Sequence, residues 1–447
     1  MSLLTKGIGA AKKVKHRLRE VQRAATPVYL SPVYRIERVR TDKRVCAMTF
    51  DDGPCRLPAQ PGGTCPLTEQ LAQTLEKFGA RGTFDVVGDT SSNYPDTPGT
   101  PGNADWGGVA YDHYPDFQKD AEGGAFHCPE LIDRLLRGGH EITSHTYSHV
   151  LFGKKPWVYG KRHYLGDFDR VVADLQKLDQ LLSRQWNYRI RLSRPPHYVD
   201  KIEKGLTAYD AYAVLGYQYM AASFDGAGWL PLSSYEAEVQ ATYLPLRDAL
   251  EKNGDTFCGQ IIFQKDGYNM ARRTPVADGL EKQLELLDAN GYQVVTVSEL
   301  LALSPFADVG EKDPIFPAAK ALHDADFCVT FRDGTVRPQQ PVTIGELAMI
   351  MWGKQSVAAR IEMIRKKRQT PKGLRATHPY SGALSYALQA GCMQPQDLKS
   401  LAKPLTRSVF DAFCREKFGV SPSLAETDDI SDRLTCYTQL AALAGKA

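Results

Sequence analysis

The sequence predicts an α/β chain: a barrel of parallel βα units followed by a small all-α domain. Three observations carry that prediction. Short apolar runs alternate with amphipathic stretches of about 10–15 residues, the signature of parallel crossover units. About six or seven such units succeed one another before residue 303, which suits a barrel. Past Ser304–Gly310 the pattern turns helical with short turns. The 447 residues allow two or three domains, each able to bury a core. The expected division is a basic N-terminal arm over 1–43, the barrel over 44–303 and a helical repeat domain over 304–447.

Composition excludes several classes. With 43% hydrophobic and 24% charged residues, the chain is no disordered, collagen-like or coiled-coil protein. No apolar run approaches the ~18 residues of a membrane span. Nine scattered Cys without a CxxC pair make neither a disulfide scaffold nor a structural zinc site. The first 44 residues hold 12 Lys and Arg against 3 Asp and Glu, so the rest of a chain of total charge +3 carries −6. The segment lacks the apolar core of a secretory signal. Ala11, Val14, Leu18, Val21 and Ala25 line one stripe of a basic helix, which either packs on the main domain, stays in solvent or rests on anionic membrane. Nucleic acid is not expected, because no aromatic interleaving or recognition motif accompanies the charge.

In chain order, Val45–Phe50 is a short strand that stops at Asp-Asp-Gly-Pro, and Gly53 and Pro54 force the turn. Cys55 and Cys65 flank a Pro/Gly-rich loop, either joined or free. A helix over Leu67–Phe78 leads to a strand over Gly82–Gly88. Asp89–Gly124, rich in Pro, Gly, Asp and Tyr, reads as a long surface insertion. Next come a helix over Pro129–Arg137, the stretch GGHEITSHTYSH and an amphipathic helix around Phe168–Leu182. The runs RIRLSRPP, AYAVLGYQYMAASFD, GQIIFQKD, a helix over Val276–Asn290 and YQVVTVSEL complete the barrel. Beyond it, Phe316–Met351 and His378–Phe413 look alike: a helix, a turn, a Pro-x-Thr segment and a helix capped by that Thr. A partial third copy covers Ile430–Leu443. Repeats of this kind bury their faces on one another, so one compact unit is expected.

Two motifs carry chemistry. Asp51 and Asp52 stand where a strand breaks, and His145 and His149 are spaced i, i+4, the interval that sets two imidazoles on one face of a single turn. Two His and one carboxylate with open positions form a catalytic zinc arrangement. A second carboxylate is left beside the metal as a base.

In this order, TFDDGP, GGHEITSH, HTYSH and the closing GYQVVTVSELL make Arg44–Leu303, 260 residues, resemble the polysaccharide deacetylases with the NodB homology domain, carbohydrate esterase family 4. The resemblance implies a distorted, usually seven-stranded (β/α) barrel and metal-dependent removal of acetyl groups from sugars. It implies that Asp51 is the general base and that Asp52, His145 and His149 bind a divalent metal, Zn2+ first. Arg194 of Arg-Pro-Pro would hold Asp51 charged and oriented. The metal would act as a Lewis acid, a backbone N–H after Arg194 would help stabilise the oxyanion, and the departing amine would need a proton.

There the sequence departs from the family. Phe263 and Lys265 stand where the family has Leu and its acidic His, and Gly228 precedes Trp229 where an Asp is usual. His197 and Tyr198 follow Arg-Pro-Pro where an aromatic residue and Gly are preferred. Three readings stay open: Lys265 as the acid; His197, His113 or His127 as the acid; or a domain that binds metal and sugar without turnover. Trp229, Phe263 and Ile262 are core or, as the resemblance implies for the first two, a wall for the acetyl methyl, with His197 beside the substrate. Asp225 reads as a turn or cap, and His140 and His163 as structural.

The C-terminal copies resemble degenerate S-layer homology repeats. Asp333-Gly334, Pro338 and Thr343-Ile344-Gly345-Glu346 fit the first, lacking its Arg, and Thr406-Arg407-Ser408-Val409 fits the second, lacking its Glu. Such modules bind cell-wall polysaccharide; a purely structural helical cap is the other reading. The substrate implied is an acetylated cell-envelope polysaccharide, peptidoglycan or chitin-like. The resemblance points outside the cell, whereas no export signal is visible, so the compartment stays open.

Overall fold

The computed structural model describes residues 28–91, 120–153, 164–269, 271–422, 425 and 428–445. His113 and His163, together with the helical stripe of the arm, lie outside the described residues. Nine parallel strands form the main sheet: β1 (Arg35–Ile36), β2 (Val45–Asp51), β3 (Thr83–Val86), β4 (Glu141–Ser144), β5 (Leu192–Ser193), β6 (Gln218–Met220), β7 (Phe224–Asp225), β8 (Ile261–Lys265) and β9 (Gln293–Val295). The order is β1-β6-β5-β4-β3-β2-β8-β7, with β9 beside the first half of β2. The expected parallel α/β barrel is therefore present, with nine strands rather than seven.

Only residues 221–223 separate β6 from β7. One end of the sheet thus runs directly into the other, and the sheet curls into a barrel. The gap is closed from the N-terminal side. β1 pairs with β6, and the Val39 N–H then donates to the Gly259 carbonyl (2.8 Å) just ahead of β8. Residues 35–39, expected in an outlying arm, are a stave of the barrel. No local signal marks this role, because it depends on two strands from 180 and 220 residues further along.

Alternation within β2 sorts the site from the core. Cys46, Met48 and Phe50 face the helices, where they pack with Leu71, Leu75 and Leu284. Thr49 and Asp51 share the opposite, inward face. Around the sheet lie α1 (Leu67–Lys77), α2 (Pro129–Arg137), α3 (Phe168–Trp186), α4 (Ala208–Leu215), α5 (Tyr235–Lys252), α6 (Val276–Ala289) and α7 (Val297–Leu303). α5 was not expected, because Pro245 lies inside it and Pro disrupts a helix interior. Ser234 caps it, accepting from the Ala237 N–H (3.2 Å), and Val239, Leu246 and Leu250 form its buried side. All nine cysteines, Cys55 and Cys65 included, are free thiols.

The C-terminal unit comprises α8 (Phe316–Asp324), α9 (Ile344–Trp352), α10 (Val357–Ile364), α11 (Ser381–Gln389), α12 (Arg407–Phe418) and α13 (Arg433–Ala444). It has a core of its own, including Leu347, Phe410, Phe413 and Tyr437. Its two Pro-x-Thr segments pair with each other, the Leu405 N–H donating to the Val342 carbonyl (2.8 Å). Thr343 caps α9 in a reciprocal box with Glu346, as expected; Thr406 precedes α12 without accepting a cap bond. Leu30 belongs to this core, and the Ser31 N–H donates to the Thr330 carbonyl (3.0 Å). Residues 28–39 therefore lace the two units together. α10 adds ionic contacts to the barrel, Arg360 with Asp210 and Arg365 with Asp169 (2.7 Å).

Candidate active site

The strand ends bring the expected residues to one place. Asp51 ends β2, and Asp52 follows in the left-handed region at φ 82°. Gly53 is required for space: a Cβ there would lie 1.9 Å from Asp266 Oδ2. His145 follows β4, and His149 lies four residues on, but the segment between is no helical turn. Thr146 and His149 have φ of 68° and 50°, and the chain loops rather than coils. Asp174 on α3 holds the loop by accepting from the Tyr147 N–H (2.9 Å) and from the Ser148 hydroxyl. Non-Gly residues at positive φ are costly and cluster at functional sites.

The loop lets both imidazoles converge. Nε2 of His145 and of His149 lie 3.3 and 3.1 Å from the same atom, Asp52 Oδ1. Burial works against the charge of Asp52, but Lys265 and the two imidazoles outweigh it and hold its carboxyl well below the usual range. Ligand atoms from Asp52, His145 and His149 all fall within 4.8 Å of one another. One oxygen and two imidazole nitrogens at that spacing suit zinc or another borderline divalent ion. The donor set fits.

Asp51 lies beside this group, with Oδ2 3.9 Å from His145 Nε2. Arg194, just after β5 and 1% exposed, donates to Asp51 Oδ1 and, through Nη2, to Thr49 Oγ1 and the Ala221 carbonyl (both 3.0 Å). Arg194 thus contacts Asp51 through Oδ1. Its charge does not keep the carboxyl at an ordinary value, because burial outweighs Arg194 and His145 and pushes Asp51 up to about 7. Burial also disfavours the His145 imidazolium, yet Asp51, Asp85 and Asp52 reverse that and push it up to about 10.

The acid side is arranged differently. Lys265 pairs in register with Asp51 across β8 and β2, and its ammonium contacts Asp52 Oδ2. The position of the missing Asp is filled: a Cβ on Gly228 would lie 2.2 Å from Val276 Cγ2. Trp229, 42% exposed, donates its indole N–H to Asp225 Oδ1 (3.1 Å). Asp225 also accepts from the Ala227 N–H (2.8 Å), so it is the turn residue expected. Ile262 is core, whereas Phe263 is half-buried with its ring 5.6 Å from the Arg194 guanidinium. The His197 ring centroid lies 5.8 Å from that of His149. Pro195 and Pro196 have no N–H, so the first backbone donor after Arg194 is that of His197. His127 lies beside Asp89 (3.3 Å). His140 is structural, accepting from the Gly82 N–H (3.0 Å).

Asp85, Asp174 and Asp266 were missed. Asp85 and Asp266 stand among apolar or motif residues, and a lone carboxylate in the run GTFDVVG was the available signal. Asp266 accepts from Thr68 Oγ1 (2.7 Å), and burial pushes it up to about 7.

Residues 38–219 match the polysaccharide deacetylase family. The peptidoglycan-N-acetylglucosamine deacetylase PgdA of Listeria monocytogenes is 23% identical over 297 residues, which cover 66% of this chain and 47% of that protein. The peptidoglycan-N-acetylmuramic acid deacetylase PdaC of Bacillus subtilis is 23% identical over 269 residues, 59% of this chain and 40% of that protein. The chain thus spans less than half the length of these two relatives. A CE4 family pseudoenzyme from Bacillus anthracis superposes with a TM-score of 0.39 at 14% identity, covering 61% of this chain and 70% of that one.

Proposed function

We propose that the barrel is a metal-dependent hydrolase that removes N-acetyl groups from a cell-envelope polysaccharide, with peptidoglycan the leading substrate. The observation that carries this is the convergence of two imidazole Nε2 atoms on Asp52 Oδ1 beside an Arg194-held Asp51. The names of the relatives add support for peptidoglycan. Asp52, His145 and His149 would hold the metal. When bound, it supplies Lewis acidity towards the acetamide and the attacking water.

The remaining work falls to the chain. Asp51 accepts the proton of the attacking water, and a base near neutrality is well matched to that task. Arg194 fixes Asp51 through Oδ1 and leaves Oδ2 to face the reaction. The His197 N–H is the backbone donor for the developing oxyanion. Lys265, an ammonium on the inward face beside Asp51, is the proton donor for the amine. Trp229 offers the exposed wall against which a sugar or its acetyl group would rest.

One set of observations favours a second reading, a binding protein without turnover. Lys265 is drawn to Asp52, and Val276 occupies the space of a carboxylate at position 228. Acetate release from N-acetylglucosamine oligomers, with and without added zinc, separates the two. Zinc-dependent release supports the hydrolase. Retained metal with no release on any acetylated sugar tried favours binding alone.

For the C-terminal repeats we propose a structural role. Glu346, from the better-preserved Thr-x-x-Glu segment, turns inward to the fully buried Arg433 (2.8 Å) rather than outward to a ligand.

A further inference from the structure

Asp85 is a carboxylate with 0% exposure in a strand otherwise suited to an apolar core. Register places it between Asp51 on β2 and Thr143 on β4. Its Oδ1 accepts from Thr143 Oγ1 (2.6 Å). Its Oδ2 lies 2.8 Å from His145 Nδ1, and the Arg194 carbonyl lies 2.9 Å from the same nitrogen. The contact of Asp85 Oδ2 with the ring is an ion-pair distance and not an aligned hydrogen bond, and among the described residues no donor is aligned on that oxygen. The hydrogen bond of His145 Nδ1 goes to the Arg194 carbonyl. Folding does not call for this residue. A Val or Thr would fill the space without desolvating a charge, a cost that a buried carboxylate recovers only through well-placed partners.

We propose that Asp85 is a positioning residue for the metal centre, acting through His145. With the Arg194 carbonyl it keeps the hydrogen of the ring on Nδ1 and sets the imidazole plane, so that Nε2 presents its lone pair beside Asp52 Oδ1. Thr143 fixes the carboxylate in turn. A carboxylate behind a ligating imidazole raises the basicity of that ligand, and removing such a partner costs 10- to 100-fold in metal affinity. This inference rests on the metal reading above.

The test is zinc affinity of the full chain by chelator competition, together with the ¹H and ¹⁵N signals of the zinc-loaded His145 ring. Asp85→Asn and Asp85→Ala should bind zinc about 10- to 100-fold more weakly. The His145 Nδ1–H proton, far downfield in the parent protein, should move upfield in Asp85→Asn. Thr143→Val keeps the carboxylate but frees it, and should give a smaller change of the same sign in both readouts. It serves alone if the Asp85 variants do not fold. Unchanged affinity in the folded variants overturns the role of Asp85 while leaving the metal site intact. Weaker affinity with an unmoved Nδ1–H signal also overturns it, since Asp85 would then act only as a distant charge. Absence of zinc binding by the parent protein overturns the metal reading and this inference with it.

Discussion

The two sides of the carboxylate pair differ in how their residues are partnered. On one side, β2, β4 and β5 deliver Asp51, Asp52, His145, His149 and Arg194, and each finds a partner that suits metal and base chemistry. On the other, the ends of β7 and β8 are repacked. Val276 fills the space beside Gly228, Asp225 takes the Trp229 indole, and Lys265 turns to Asp52. The departures at 228 and 265 are neighbours in space, a Cβ on Gly228 lying 3.9 Å from Lys265 Cβ. A carboxylate at 228 and a neutral imidazole at 265 belong together, and here an ammonium with its own carboxylate partner replaces both.

The comparison breaks most sharply on the metal side. His145→Ala combined with His149→Ala should abolish zinc binding, read as metal content after dialysis; undiminished metal would dismiss the ligand set. On the acid side, Lys265→Met should lower any deacetylase activity by roughly 10²-fold or more, the usual scale of acid catalysis. It should also tighten zinc, because a cation no longer contacts Asp52. Equal activity in parent and Lys265→Met would move the proton donor elsewhere, with His197 the next to replace.

Restoring the absent pair needs more than two changes. Gly228→Asp alone should cost about 1–3 kcal/mol in denaturant unfolding, the usual penalty of overpacking. Adding Val276→Ala should recover most of that loss. Only in that background does Lys265→His have a carboxylate beside it at position 228. If Gly228→Asp is tolerated without the Val276 change, the account of a filled position fails.

A smaller effect concerns pH. The base must be ionised, so activity should fall as pH drops through the pKa of Asp51. Burial puts that value at about 7, and a bound dication favours the carboxylate and moves the limb lower. An acid limb in the kcat/KM profile above pH 7 would contradict this placement.

Much of the architecture was legible because local pattern and global role coincide. Pro129–Arg137 is an apolar stripe started by Pro, and it forms α2 over those residues. Val45–Phe50 forms β2, one residue longer because Asp51 continues the pairing with β3 and β8. Legibility failed where the role is set by distant chain. Residues 35–39 close the barrel through strands that no nearby residue announces. Pro245 concealed α5, whose stability comes from packing on α6 rather than from propensity. The His145–His149 spacing suggested a helical turn, whereas Asp174, 25 residues beyond, bends the segment into a loop. The cluster of Asp51, Asp52, His145 and His149 was readable as motifs. The buried carboxylate behind His145 was not, because its meaning depends on register between three strands.

The central claim is that the β2–β4–β5 side is a working hydrolytic centre whose base is Asp51. Its most direct test compares the parent protein with Asp51→Asn for zinc content and for acetate released from N-acetylglucosamine oligomers. Both proteins should carry zinc equally, and the variant should release acetate ~10²–10⁴-fold more slowly. Asp51→Asn turning over at the parent rate with its zinc in place would contradict the account.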